Sequence, residues 1–260
     1  MYLSQIYTHP IKSTHPISLG SSYLFETGVA YDRHWMVVDQ QNTMVTSRKH
    51  PKLLHVITRI EGRNLVVELP CRSFLLPLSP MPQKEQIVNH WDEDTFRAWT
   101  QNSALDQELS EYLGIPCQVV YSASLASSNG DEIVATFADA QPLLLTTTSS
   151  LDALNERLDD PITMQRFRSN LVVSNLIPDI EDDWHRIRIG GCELKVVYPC
   201  ERCVLTTIDP VTLLRHPRQE PLRTLGQYRR LEGAGVGFGI NLTVSIGGVI
   251  SINDTVEILS

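Results

Sequence analysis

The sequence predicts a mixed α/β, β-dominated protein in two parts, a smaller N-terminal β part and a larger C-terminal part. Three observations carry this. Short β-favouring runs, separated by turn formers, fill about the first 90 residues. A proline-rich passage with Pro70, Pro77, Pro80 and Pro82 then interrupts the pattern, and it suits neither a central strand nor a helix interior. Beyond it, segments of helical period alternate with strand-like runs. The break near residues 77–95 sets the expected domains at 1–95 and 96–260.

In order, Met36-Val-Val-Asp39 and Leu65-Val-Val-Glu-Leu69 read as strands, with turns at Gly28, 39–42 and 61–64. Strands this short and regular suggest a small barrel or an antiparallel sheet. Residues 103–113 place Leu105, Leu109, Tyr112 and Leu113 on one helical face, and Gly114 and Pro116 stop the helix. A strand over 118–121 and a polar loop over 122–130 follow. Pro142-Leu-Leu-Leu-Thr146 reads as a buried strand entering a helix over 148–158, capped by Thr and Ser. Residues 171–174, 186–189 and 193–197 read as strands. Residues 249–252 and 256–259 read as a closing hairpin around Asn253-Asp254.

Composition narrows the function classes. The 260 residues carry 22 Lys+Arg against 30 Asp+Glu, a formal net charge of −8, and a pI near 5.5. That argues against a nucleic-acid binder working through a general basic face. No run is long and apolar enough to span a bilayer, so no membrane partner is expected. The first residues lack the basic and apolar regions of a secretory signal. Five scattered cysteines (71, 117, 192, 200 and 203) read as reduced thiols, so a cytoplasmic location is expected.

The sharpest local feature is Cys200-Glu-Arg-Cys203, followed by Val-Leu-Thr-Thr-Ile. A structural zinc site needs a second pair of ligands at matching spacing, and none is evident. A thioredoxin-type pair should open a helix, which the β-branched run disfavours. Two readings remain open: a functional thiolate at a strand edge, with Arg202 favouring its ionised form, or two inert buried cysteines.

Cations in short motifs form the second feature: Lys12-Ser13, Arg33, Arg48 and Arg166-Phe-Arg168-Ser-Asn170. Beside small hydroxyl residues they suit anions, although ordinary solvation accounts for most such residues. The third is the glycine series 233, 235, 237 and 239, which permits close backbone approach. It reads either as a ligand loop or as a bulged strand, and it is no dinucleotide fingerprint.

Taken together, Pro10-Ile-Lys12-Ser13, Asp32-Arg33-His-Trp35, Thr46-Ser-Arg48-Lys-His-Pro51, Phe137-Ala-Asp139, Ser150-Leu-Asp-Ala-Leu-Asn155, Arg166-Phe-Arg168-Ser-Asn170 and 200–210 resemble the MOSC family. Within it, they resemble the amidoxime-reducing components and bacterial reductases of N-hydroxylated bases. The resemblance covers nearly the whole chain. It implies a MOSC β-barrel domain packed against a smaller N-terminal β-barrel-like domain, and a molybdenum–molybdopterin cofactor with Cys203 as metal ligand. Lys12, Ser13, Arg33, Arg48, Ser150, Arg168, Asn170 and Arg202 match cofactor-binding positions, and Asp139 stands, by position, as a group that either supports the residues around the cofactor or handles protons. Ser169 stands where relatives often carry proline.

The implied activity is two-electron reduction of N-hydroxylated small molecules. Since the chain stops at Ser260 without an iron–sulfur domain, the electrons are expected from a separate protein: ferredoxin-like, flavoprotein or cytochrome b5-like. The rival reading is a sulfur carrier in which Cys203 bears a persulfide. Pyridoxal phosphate is a further family-level association.

Overall fold

The structure, a computed structural model, describes every residue except 82, 92–94, 124, 127–131, 134, 135 and 234, and only the backbone of 125, 126, 132 and 133. Most of the polar loop expected over 122–130 lies outside the described residues. The chain forms two compact units, neither continuous in sequence. One comprises Met1–Thr8, Ser18–Ala30 and Ala140–Ser260; the other comprises His9–Ile17 and Tyr31–Asp139.

In the first unit the N-terminal strand Tyr2–Thr8 pairs with Leu171–Ser174, and Ser21–Phe25 pairs with Gly248–Ser251. These pairings draw the N-terminus into the unit built mainly from the C-terminal half, so the contacts divide the chain differently from the expected boundary at residue 95. The main sheet has Tyr2–Thr8, Leu171–Ser174, Leu143–Thr147, Gly237–Ile246, Cys192–Glu201, Arg186–Ile189 and Val256–Ile258 as successive neighbours. Leu143–Thr147 and Leu171–Ser174 are parallel, as the intervening helix Thr148–Asn155 permits. Leu3, Ile6, Leu145, Leu171, Val173, Ile187 and Ile240 are fully buried on this sheet.

The helix stops at Asn155 rather than 158, because the Asn155 side chain accepts from the Ile162 amide at 2.9 Å and turns the chain. Residues 249–252 and 256–259 do not form a hairpin. Gly248–Ser251 joins Ser21–Phe25 while Val256–Ile258 joins Arg186–Ile189, so the Asn253-Asp254 turn links two different sheets. Of the glycine series, Gly237 and Gly239 belong to strand Gly237–Ile246, while Gly233 lies in the turn before it; a Cβ on Gly239 would lie 2.5 Å from the Leu145 carbonyl oxygen, and its φ is +76°. The bulged-strand reading therefore accounts for Gly239 without a ligand.

The second unit holds a four-stranded sheet ordered Trp35–Asp39, Cys117–Ser122, Thr95–Thr100, Glu85–Asn89, and a three-stranded sheet, Ile57–Glu61, Asn64–Leu69, Arg72–Pro77. Helix Ser103–Leu113 begins where the Asn102 side chain accepts from the Ala104 and Leu105 amides, and it ends at Gly114 with φ 77°. Leu105, Leu109 and Leu113 pack against Trp35, Val67 and Val119 in one core.

The passage read as a break is thus internal structure. Strand Arg72–Pro77 lies at a sheet edge, where the terminal Pro77 is tolerated. Strands Glu85–Asn89 and Thr95–Thr100 form an antiparallel pair with Phe96 opposite Val88. Among the described residues, no helix is long and apolar enough to cross a membrane.

Candidate active site

The predicted residues fall into both units. In the second unit, Lys12 sits in a tight turn closed by the Thr14 amide on the Ile11 carbonyl. Its ammonium is buried and donates to the Phe137 carbonyl at 2.7 Å and to Asp139 Oδ1 at 2.5 Å. The same carboxylate oxygen accepts from the Trp91 indole N–H at 2.9 Å. The Arg48 guanidinium lies over the Trp91 ring, 4.2 Å from its centroid. Arg33 pairs with the buried Asp32, which also accepts from the His9 amide at 2.7 Å.

Lys12, Arg48, Asp139 and Trp91 are therefore brought together, and Arg33 acts electrostatically on Asp139. Burial alone would raise the pKa of Asp139, but Lys12, and then the charges of Arg33 and Arg48, hold it well below the ordinary carboxylate range. Its carboxylate remains ionised and acts as the charge partner of Lys12. His90 beside it is pushed down to about 4 by burial and by Lys12, with Asp139 and the Phe137 carbonyl opposing, so the imidazole is neutral at pH 7.

In the first unit, strand Cys192–Glu201 carries Cys200, and Cys203 follows it at the start of a 3₁₀ turn, Val204–Thr207. Both thiols are partly buried. Arg202 is clamped between them in sequence. Its guanidinium donates to Cys200 Sγ at 3.0 Å and to the Phe167 carbonyl at 2.6 Å, and it covers the Phe167 ring at 5.5 Å. Phe167 in turn stacks on Phe238 at 3.9 Å. The Arg202 Nε–H is buried with no acceptor among the described residues.

Two expected donors are already engaged. Ser150 Oγ donates to the buried Glu181 at 2.8 Å and accepts from the Asp179 amide, so its hydroxyl organises the entry to the helix rather than an open face. The Asn170 side chain accepts from the Leu144 amide at 3.1 Å and donates to the Tyr7 carbonyl at 3.3 Å, bridging two strands. Ser13 and Arg168 share a different property with Arg33: all three have positive φ, at 72°, 56° and 53°. Only nine described non-glycine residues do.

Sequence reasoning missed Trp91 and His90, because the loop that carries them was read as a domain break. An Asn-His-Trp triplet flanked by two strand-like runs was the available signal. It also missed Ser47, buried beside Arg48 with its hydroxyl unpartnered among the described residues.

A β-rich unit presenting one cysteine beside a clamped arginine, and a second unit gathering cations around a carboxylate, define the class of MOSC proteins. The MOSC domain model matches residues 132–257, and the MOSC N-terminal beta barrel domain model matches residues 1–116. The chain belongs to that family. It is 30% identical to the Mus musculus mitochondrial amidoxime-reducing component 1, over 99% of this chain and 82% of that protein. The Danio rerio counterpart is 33% identical, over 87% and 74% respectively. An Oryza sativa molybdenum cofactor sulfurase is 27% identical over 93% of this chain but only 32% of its own length.

The donor set suits the molybdenum cofactor that the name of the Oryza sativa relative carries. An anionic group calls for cations, and Arg168 and Arg202 in one unit, and Lys12, Arg33 and Arg48 in the other, are cations of the kind that suit it. A high-valent metal calls for a soft, strongly donating ligand, which the Cys203 thiolate offers. The buried Arg202 Nε–H without an acceptor is the structural observation that asks for an oxyanion or carbonyl from outside the polypeptide. Among the described residues, no three His, Cys, Asp or Glu side chains stand together to hold a metal ion.

Proposed function

We propose that this protein is a molybdenum-cofactor oxidoreductase that reduces N-hydroxylated compounds such as hydroxylamines and amidoximes. The observation that carries it is Arg202 beside Cys203: a guanidinium that donates from both terminal nitrogens, with its Nε–H buried and without an acceptor among the described residues. Cys203 would hold the metal. Arg202 and Arg168, in the same unit, would hold an anionic part of the cofactor. When bound, the cofactor supplies two-electron chemistry. In the net reaction the N–O bond breaks with uptake of two electrons and two protons, leaving the N–H compound and water. The electrons come from a separate electron-transfer protein.

Molybdenum content, measured by mass spectrometry on protein from a cofactor-competent host, tests this beside Cys203→Ser. The expected result is near-stoichiometric metal in the wild type and at least about tenfold less in the variant, since the thiolate is the metal's protein ligand. Equal retention by both overturns the assignment of Cys203.

The second reading, a persulfide carrier, draws on Arg202 donating to Cys200 Sγ, which places a cation on a second thiol of the same segment. A labile addition of about 32 Da on Cys203, with no metal bound, would favour it.

A further inference from the structure

Arg166 opens the motif Arg166-Phe-Arg168-Ser-Asn170 but is not among the residues that the resemblance assigns to the cofactor, and its side chain is only 10% exposed. It stands on the 3₁₀ turn Met164–Phe167 and reaches across to the segment that carries Cys203, within the same unit. Its guanidinium donates to Asp209 Oδ2 at 2.8 Å and to the Thr206 carbonyl at 3.4 Å. Arg202 makes the return connection, donating to the Phe167 carbonyl at 2.6 Å. Two arginines thus tie the turns Met164–Phe167 and Val204–Thr207 together. One tie meets the second turn just before its start and the other at its end.

The acceptors of Arg166 are themselves held. Asp209 Oδ1 accepts from the Val211 and Thr212 amides at 2.8 Å each, which aims Oδ2 at the guanidinium. Burial alone would raise the pKa of Asp209, but the Thr212 and Val211 amides, and then Arg166, hold it below its ordinary value, so the pair is charged at pH 7. Thr206 is buried, and its hydroxyl and amide both donate to the Cys203 carbonyl, at 3.0 and 3.1 Å. A short path of fixed groups therefore runs from Arg166 through Thr206 to the Cys203 backbone. At the other end, Arg168 closes the first turn with its amide on the Gln165 carbonyl at 3.2 Å. A planar fork with two acceptors fixes direction as well as distance, which a point charge does not.

We infer that Arg166 and Asp209 are positioning residues: their ion pair, with the Arg166 bond to the Thr206 carbonyl, fixes the turn that Cys203 opens against the turn that Arg168 closes. The inference rests on the proposed function only for what Cys203 and Arg168 hold. The tie itself is argued from the first unit alone.

Full-length protein prepared without the cofactor would be alkylated with N-ethylmaleimide well below its melting temperature, and each cysteine followed by peptide mass spectrometry. Cys71, exposed and in the other unit, is the internal reference. Asp209→Asn removes the charge but can still accept from Val211 and Thr212; Arg166→Gln removes the fork. Each should raise the Cys203-to-Cys71 rate ratio about 3- to 10-fold, the scale of local opening when a charge-assisted bond is lost. The double variant should go no further than the larger single effect, because both changes break one tie. Arg166→Lys keeps a charge for Asp209 without the planar fork, so it should recover the wild-type ratio in part. In cofactor-loaded protein, molybdenum retained after dialysis should fall about 3- to 10-fold in Asp209→Asn and Arg166→Gln, following the same opening.

A Cys203-to-Cys71 ratio unchanged in either single variant, even with a lowered melting point, overturns the positioning role and leaves a merely structural ion pair. Additive effects in the double variant overturn the pairing of the two residues as one device. A ratio that behaves as expected, in a protein that never retains molybdenum, sustains the tie and refutes the proposed function. Molybdenum retained equally by the wild type and both variants does the reverse.

Discussion

Arg202→Met separates a residue kept for folding from one kept for a ligand. In the cofactor-free protein the substitution removes the donor to the Phe167 carbonyl, 2.6 Å away, at a cost of about 1–3 kcal/mol for a buried acceptor left unmet. It also removes a cation–π contact at 5.5 Å worth about 0.5–1 kcal/mol. Against this, it eliminates the buried Nε–H that has no acceptor among the described residues, a penalty of about 1–3 kcal/mol. The opposing effects nearly cancel, and the methionine keeps an apolar stem against Phe167. Net destabilisation is therefore about 1 kcal/mol, a melting shift of roughly 2–4 °C.

In the loaded protein the Nε–H has found its acceptor, so the same substitution forfeits a charge-assisted bond of about 1.5–3 kcal/mol, roughly 10- to 150-fold in cofactor retention. Differential scanning calorimetry on cofactor-free protein, with molybdenum per folded chain after serial dialysis, reads both quantities. A melting point lowered by more than about 10 °C, with retention unchanged, would show that Arg202 is a structural clamp and refute the reasoning.

Two further predictions concern buried carboxyls. Burial raises the Asp106 carboxyl to about 6, although the Val119 amide donates to it. A group raised in this way contributes stability that is complete below about pH 4 and is lost as pH rises through 6. The gap is worth at most about 3 kcal/mol, reduced to about 1–2 because the side chain keeps contact with water. Asp106→Asn, which can still accept from Val119, should be more stable than wild type by that amount at pH 8 and equal at pH 4; urea titrations giving the same difference at both would refute it. Glu181 is fully buried, and burial raises its pKa while Ser150 and Thr147 donate to it. Glu181→Ala should lower stability by about 2–4 kcal/mol by stranding two hydroxyls, and Glu181→Gln by under about 1. Equal melting curves for the two variants would remove the network's structural role.

The local features were legible in the sequence and the pairings were not. Helix Ser103–Leu113 was readable to the residue, because its cap, its apolar stripe and its stop are all local. The final two strands were found, but their mutual pairing was misread, since an Asn-Asp turn also serves to send successive strands to separate sheets. The pairing of the two ends of the chain was hidden for a related reason. Proline density at 70–82 marks an edge strand and a turn just as well as a linker, and nothing local shows that Tyr2–Thr8 pairs with a segment about 165 residues further on. At the site, the cations were visible because Arg and Lys beside small residues form short motifs. What selects among them is carried by side chains that local pattern cannot weigh: Trp91 stacked on Arg48, Phe167 under Arg202, and Glu181 holding Ser150.

Backbone conformation adds a line of argument independent of residue type. Ser13, Arg33 and Arg168 were singled out because their side chains suit an anion, and all three occupy left-handed backbone. Nine described non-glycine residues in a chain of 260 do so, and ten residues were singled out, so well under one coincidence is expected if the two properties are unrelated. Left-handed backbone disfavours Ser and Arg by about 1–3 kcal/mol each, and glycine would relieve it. Glycine does occupy this region elsewhere in the chain, at 62, 114 and 233 for example. A fold that uses glycine there, yet keeps Ser and two Arg at these three turns, retains the side chains against a local cost. Their turns are held by the Arg33 amide on the His9 carbonyl, the Arg168 amide on the Gln165 carbonyl and the Thr14 amide on the Ile11 carbonyl. The cost is therefore borne by hydrogen-bonded turns that fix where each side chain leaves the backbone, the arrangement expected when a rigid anion must be met by preplaced donors.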